Sequence, residues 1–130
     1  MAWVEVFAVF VVCHLVGDYL LQTDWQANHK RGGLGPDRES RRALASHILT
    51  YTLAYVPAFV WIATEIGAML MPVVALIAIP HWIQDDGRLI TLYIQKVKGM
   101  QAAANKAVAA AVDQSFHLLV LLATALLATS

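Results

Sequence analysis

"HLVGDYLLQ", residues 14–22, sets three polar side chains at four-residue intervals inside an apolar run. On an α-helix, His14, Asp18 and Gln22 share one stripe that drifts about 40° per step. Residues 2–13, which precede it, hold a single charge, Glu5. The segment therefore reads as a membrane helix carrying a polar ladder, and the fold follows from what such a ladder must face.

The rest of the chain supports the membrane reading. Of its 130 residues, 59% are hydrophobic and only 14% charged, against about 25% charged in soluble domains. The mean hydropathy is +0.61. Four apolar stretches are separable, at about Ala2–Leu21, Leu44–Thr64, Ala68–Ile83 (continuing toward Arg88) and Ala107–Thr129. Each approaches the roughly 20 residues that cross a hydrocarbon core of about 30 Å. The expected fold is all-α, a four-helix transmembrane bundle forming one domain over residues 1–130. "RLITLYIQKVKG", residues 88–99, is amphipathic and is expected to lie along the surface as an extension of the third helix.

Charge orients the bundle. The nine basic residues fall into two groups: Lys30, Arg31, Arg38, Arg41 and Arg42, then Arg88, Lys96, Lys98 and Lys106. The N-terminus, the "EIGAML" connection and the C-terminal "ATS" carry none. The positive-inside rule makes the two basic loops cytoplasmic and leaves both termini outside. These basic residues sit beside acidic ones without interleaved aromatics, which argues against nucleic-acid binding. The single cysteine, Cys13, excludes an internal disulfide. The start has neither a basic region nor a small-residue cleavage site, so the first helix reads as mature structure.

The ladder then recurs. His14 and Asp18 lie in the first span, His47 in the second with Tyr51 and Tyr55 on its stripe, His81 and Asp85 in the third, and Asp113 and His117 in the fourth. The fourth pair is reversed in chain order, which an outward-running helix needs to match inward-running partners. All lie within ~5–17 Å of the cytoplasmic boundary. His14, His81 and His117 form the deeper layer; Asp18, Asp85, Asp113 and His47 lie nearer the cytoplasm. An Asp at the bilayer centre costs about 2.5–3.5 kcal/mol on insertion scales, so these groups must face one another.

Three readings follow. A metal centre would use His14, Asp18, His47, His81, Asp85, Asp113 and His117, with zinc the first choice and manganese or iron admitted by the oxygen donors. Seven donors exceed one tetrahedral ion: either two ions bind, or some aspartates only fix histidine tautomers. Gln22, Tyr51 and Gln114 would support the ligands by hydrogen bonding. The second reading is a structural His–Asp network registering the helices, in a scaffold or partner-binding membrane protein. The third is a proton or cation pathway, which would need a homo-oligomer to widen the pore. If the protein is an enzyme, metal-assisted hydrolysis of a lipid or amphiphile is expected, with Asp18 or Asp113 as base.

"HLVGDYLLQTDWQANHK", His47, "HWIQD" and "VDQSFHLL", spread over almost the whole chain, resemble the family classed as domain of unknown function 3307. The chain departs from that pattern after Asp85, where "DGRL" replaces an aromatic and a lysine. The resemblance implies a small integral membrane protein of the bacterial cytoplasmic (inner) membrane or of a phage genome, and carries no activity. A looser likeness in logic is to membrane-bound metal-dependent hydrolases, which also array His and Asp on short membrane helices.

Overall fold

A computed structural model describes all residues, 1–130, and contains helices and turns but no strand. The helices are α1 (Trp3–Leu15), α2 (Asp24–His29), α3 (Arg38–Ala54), α4 (Val56–Ile66), α5 (Leu70–Asp85), α6 (Arg88–Tyr93), α7 (Met100–Ala104) and α8 (Lys106–Ala128). A π-helical turn, Val16–Leu20, prolongs α1, and another, Ile94–Lys98, prolongs α6.

Three helical stretches are long and apolar enough to cross a membrane: Trp3–Leu20, Val56–Asp85 and Lys106–Ala128. The second is 30 residues long, about 45 Å if straight, but it is not straight. The Tyr51 and His81 rings stack with centroids 3.4 Å apart, so the chain must double back between them. It does so at Gly67, whose φ of 50° and ψ of −120° end α4. An L side chain is strained at that positive φ, so glycine is the residue that permits the reversal.

The apolar run expected as one span at Leu44–Thr64 is divided between α3 and α4. Pro57 has no N–H to return to the Leu53 carbonyl, and the helix is interrupted at Tyr55. The expected extension of the third helix is likewise replaced by a break. α5 stops at Asp85, the chain turns at Gly87 (φ 76°), and α6 folds back so that Ile90 and Ile94 pack with Val112 of α8.

α1 lies against α8, α8 against α5, α5 against α3, and α3 against the π turn at the end of α1. Val6, Phe10, Cys13, Tyr51, Tyr55, Ile62, Val73, Ile77 and Leu121 fill one half of the interior. The opposite half is polar and contains the ladder residues. Outward faces are apolar instead: Val60 and Met71 are each 70% exposed and Leu20 is 76% exposed. Burying aspartate and histidine while presenting leucine and valine outward suits a hydrocarbon solvent. Met1, Glu65, Ile66 and Ala128–Ser130 line a common recess, so both termini and the α4–α5 turn share one end.

Gly17, in the π turn that follows α1, sets how closely this turn and α3 approach. A Cβ there would stand 2.6 Å from Tyr51 Cδ2 and 3.3 Å from its Cα. Gly17→Ala is therefore expected to cost about 1–3 kcal/mol through overpacking, and to tilt the Tyr51 ring away from His81. Thermal unfolding in detergent measures the first effect; a midpoint equal to wild type would refute the close packing.

Candidate metal centre

The ladder residues converge because α1, α3, α5 and α8 each turn one polar stripe inward. The π turn after α1 contributes Asp18, the middle of α3 His47, and the last turn of α5 both His81 and Asp85. These four residues are buried, each at most 7% exposed. Their donor atoms face one another. His47 Nε2 lies 3.2 Å from His81 Nε2, 3.3 Å from Asp18 Oδ1 and 2.8 Å from Asp85 Oδ2. His81 Nε2 lies 3.3 Å from Asp18 Oδ1 and 3.2 Å from Asp85 Oδ2.

Those separations are informative. Four ligands at ~2.0–2.1 Å from a tetrahedral zinc ion stand roughly 3.3–3.4 Å from each other. Five of the six donor pairs here fall between 2.8 and 3.3 Å, so small outward movements would give the tetrahedron. Asp18 Oδ1 is buried and has no hydrogen-bond partner, as suits an oxygen directed at a cation. The residues present therefore fit a divalent ion.

His117, on α8, extends the group. Its Nδ1–H donates to the Asp113 carbonyl at 2.8 Å, so in the neutral ring the lone pair is on Nε2. That atom is buried without a hydrogen bond and lies 3.3 Å from Asp85 Oδ1. The Asp113 carboxylate joins Asp85 and His117 in a second set of donors, all within 4.8 Å of one another.

The outer Nδ1 atoms of His47 and His81 have no partner, so these rings lack the carbonyl support that His117 has. His81 is oriented instead by the Tyr51 ring, which lies parallel to it within 5°.

His14 behaves differently from the other three clustered histidines. Its Nε2–H donates to Gln114 Oε1 at 2.9 Å, and its Nδ1 accepts the Tyr51 hydroxyl proton at 3.0 Å. With both nitrogens engaged, His14 stands outside the two donor sets and braces them through its stacked neighbour His117, 5.2 Å away. Tyr55 in turn donates to the Tyr51 oxygen at 2.8 Å. This relay ends in an apolar wall, since the Tyr55 ring packs between Phe10 and Phe59.

Lys30, read from sequence only as part of a basic loop, proves to belong to the site. Its Nζ lies 2.7 Å from Asp85 Oδ2 and also donates to Gln22 Oε1. The local sequence explains the placement. "TDWQ" forms a capping box in which Thr23 Oγ1 accepts from the Gln26 N–H at 3.2 Å and the Thr23 N–H donates to Gln26 Oε1 at 2.9 Å. Gln26 Nε2 then donates to Ser46 at 3.1 Å, docking α2 on α3. Lys30 follows immediately and is brought back over the cluster.

A latch beyond the site holds that loop. The Gly32 N–H donates to the Asp86 carbonyl at 2.9 Å and the Leu34 N–H to Asp86 Oδ1 at 2.8 Å. Arg88 Nε donates to Asp86 Oδ2 at 2.6 Å. Burial pushes the Asp86 carboxyl up, but these donors outweigh it and hold it below its ordinary value. The ionised form is thus favoured by folding. Its contribution is complete above the ordinary carboxylate pKa of about 3.9 and is lost as pH falls through the lower folded value. Amide exchange at Leu34, corrected for intrinsic rate, is expected to stay protected from pH 7 to 5 and to accelerate only in the acid range. Loss of protection between pH 7 and 5 would contradict the latch.

A protein-family profile described as "Protein of unknown function (DUF3307)" matches residues 6–130, nearly the whole chain. The chain belongs to the DUF3307 family. No curated protein and no solved structure matches it. Every residue of the two donor sets lies inside the stretch that the DUF3307 profile matches.

Proposed function

We propose that this DUF3307 chain is an integral membrane metal-binding protein whose His/Asp site works as a metal-dependent hydrolase on a lipid or another amphiphile. The observation that carries the metal part of this reading is the near-tetrahedral meeting of Asp18, His47, His81 and Asp85 donors in a buried place. Charge supports it as well. Asp18 and Asp85 bring two negative charges, of which Lys30 offsets one; a divalent cation neutralises both. Two imidazoles and two carboxylates suit zinc first, and manganese or iron second.

The proposed topology is a four-span bundle in a bacterial cytoplasmic membrane, with both termini outside and the loops carrying Lys30–Arg42 and Arg88–Lys106 in the cytoplasm. The site then lies in the cytoplasmic half of the bilayer. An apolar cavity of about 410 Å³ is lined by Pro80, Ile83, Gln84, Ile90, Tyr93 and Phe116. Its apolar lining suits an acyl chain. The closed end of the Tyr51–Tyr55 relay favours this reading over an ion pathway. Within it, bound metal lowers the pKa of a water, while Asp113, 31% exposed at its side chain, is the carboxylate best placed to exchange protons with the cytoplasm.

Elemental analysis of detergent-purified protein tests the metal reading. Stoichiometric zinc, manganese or iron is expected in wild type and is lost in a His47→Ala/His81→Ala variant that keeps its helical circular dichroism. A folded wild-type protein that binds none of the three would leave only the structural network. Incubation of the metal-loaded protein with phosphatidylethanolamine and phosphatidylglycerol vesicles, followed by mass spectrometry, tests hydrolysis; intact lipids throughout would remove phospholipids as substrates.

A further inference from the structure

Asp85 faces two ways. Its Oδ2 meets His47 and His81, while its Oδ1 meets His117 Nε2 at 3.3 Å. A carboxylate whose two oxygens address separate imidazole sets is disposed as a bridge. We propose that Asp85, Asp113 and His117 hold a second divalent cation, joined to the first through the Asp85 carboxylate. The proposal rests on the metal reading above and adds a second, chemically different ion to it.

His117 provides the independent sign of a ligand. The residue is 2% exposed, its Nδ1–H is fixed on the Asp113 carbonyl, and its Nε2 is left without a partner. In the neutral ring held in that tautomer, the buried Nε2 lone pair faces a carboxylate oxygen and no hydrogen bond forms between them, because both are acceptors. A cation between them relieves that contact. The arrangement of imidazole, outer carbonyl and neighbouring carboxylate is one by which proteins orient metal-bound histidine.

The two ions would differ in access. The first has four protein donors, all buried, and so has a closed shell. The second has three protein donors, one of them the partly exposed Asp113. Three protein ligands and an open position are the pattern of catalytic zinc, whereas four are the pattern of structural zinc. Charge also closes. Asp18, Asp85 and Asp113 bring three negative charges; two divalent ions exceed them by one, which a hydroxide supplies. Lys30, paired with Asp85 Oδ2, then has no charge left to balance there. A bridged ion pair would supply a shared site for an oxygen nucleophile or leaving group, and Asp113, the partly exposed donor, marks the side from which water would reach it.

The test is metal stoichiometry in the full-length protein in detergent, with zinc added and excess removed by gel filtration. Two equivalents are expected in wild type, and one in Asp113→Asn/His117→Ala. Manganese-loaded wild type is expected to give an exchange-coupled electron paramagnetic resonance spectrum, and the variant an uncoupled single-ion spectrum. Asp113→Asn alone, a nearly isosteric change, is expected to weaken the second equivalent by about 10–100-fold without disturbing the first. One equivalent in wild type with an uncoupled spectrum would overturn the second ion and leave the first standing. No metal in folded wild type would overturn both, and loss of both equivalents in a folded Asp113→Asn variant would overturn the assignment of separable sites.

Discussion

Chelation is expected to lower the thermal midpoint of the detergent-solubilised protein by on the order of 10–20 °C, and added zinc is expected to restore it. Asp18 comes from the π turn after α1, His47 from α3, and His81 and Asp85 from α5. A cation held by these donors joins three helical segments distant in sequence, and in the unfolded chain those segments offer no formed site. Metal binding is then folding free energy. At a free zinc concentration a thousandfold above its dissociation constant, the native state gains about 4 kcal/mol. One kcal/mol moves the midpoint of a domain of this size by roughly 3–6 °C. The loss should be absent from His47→Ala/His81→Ala, which has no site to empty. A midpoint indifferent to both chelator and zinc would show that hydrogen bonds alone hold the cluster.

What could be read in advance follows the range of the interaction. The pairs His14–Asp18, His81–Asp85 and Asp113–His117 are each four residues apart on one helix, so helical geometry alone puts them on common stripes. Reversal in the last pair is what a common site on helices of opposite direction requires. The His14, His81 and His117 rings lie within 6.0 Å of one another by centroid, and His47, expected at the aspartate level, lies as close to His81, at 5.4 Å. The Gly67 reversal falls inside the "EIGAML" connection between the second and third apolar runs.

The partners of each donor were not legible, because they come from far along the chain. His14 looks like a ligand on its own helix, equal to His81; only Tyr51, 37 residues away, and Gln114, 100 residues away, use up its nitrogens. Lys30 finds Asp85 across 55 residues, and nothing local marks it apart from Arg31. The capping box at Thr23 does give a hint, since it starts a short helix whose end must fall near Lys30. The break at Tyr55 was carried by Pro57 but masked by an apolar run that continues through it. Hydropathy measures composition along a segment, and a kink leaves composition unchanged.

Lys30→Met is expected to destabilise the metal-free protein by about 3–5 kcal/mol, the cost of removing one partner from a buried ion pair, and the zinc-loaded protein by less than about 1 kcal/mol. The Asp85 side chain is 3% exposed and that of Lys30 is 17% exposed, so little water can replace the lost ammonium. In the zinc-loaded form the cation neutralises Asp85, and the ammonium has no charge left to balance. Removing a competitor for Asp85 Oδ2 should also tighten zinc binding, by roughly the free-energy difference between the two losses, at tenfold per 1.4 kcal/mol. The loop stays in place because Gly32 and Leu34 remain latched on Asp86 and Arg31 on Thr91. A double-mutant cycle with Asp85→Asn, run with and without zinc, isolates the pair from any loss of packing by the lysine stem. A coupling energy between the two positions is expected only without metal. Equal destabilisation with and without zinc would mean that Lys30 and the cation do not share a charge, and would remove the ammonium as the counter-ion of the empty site.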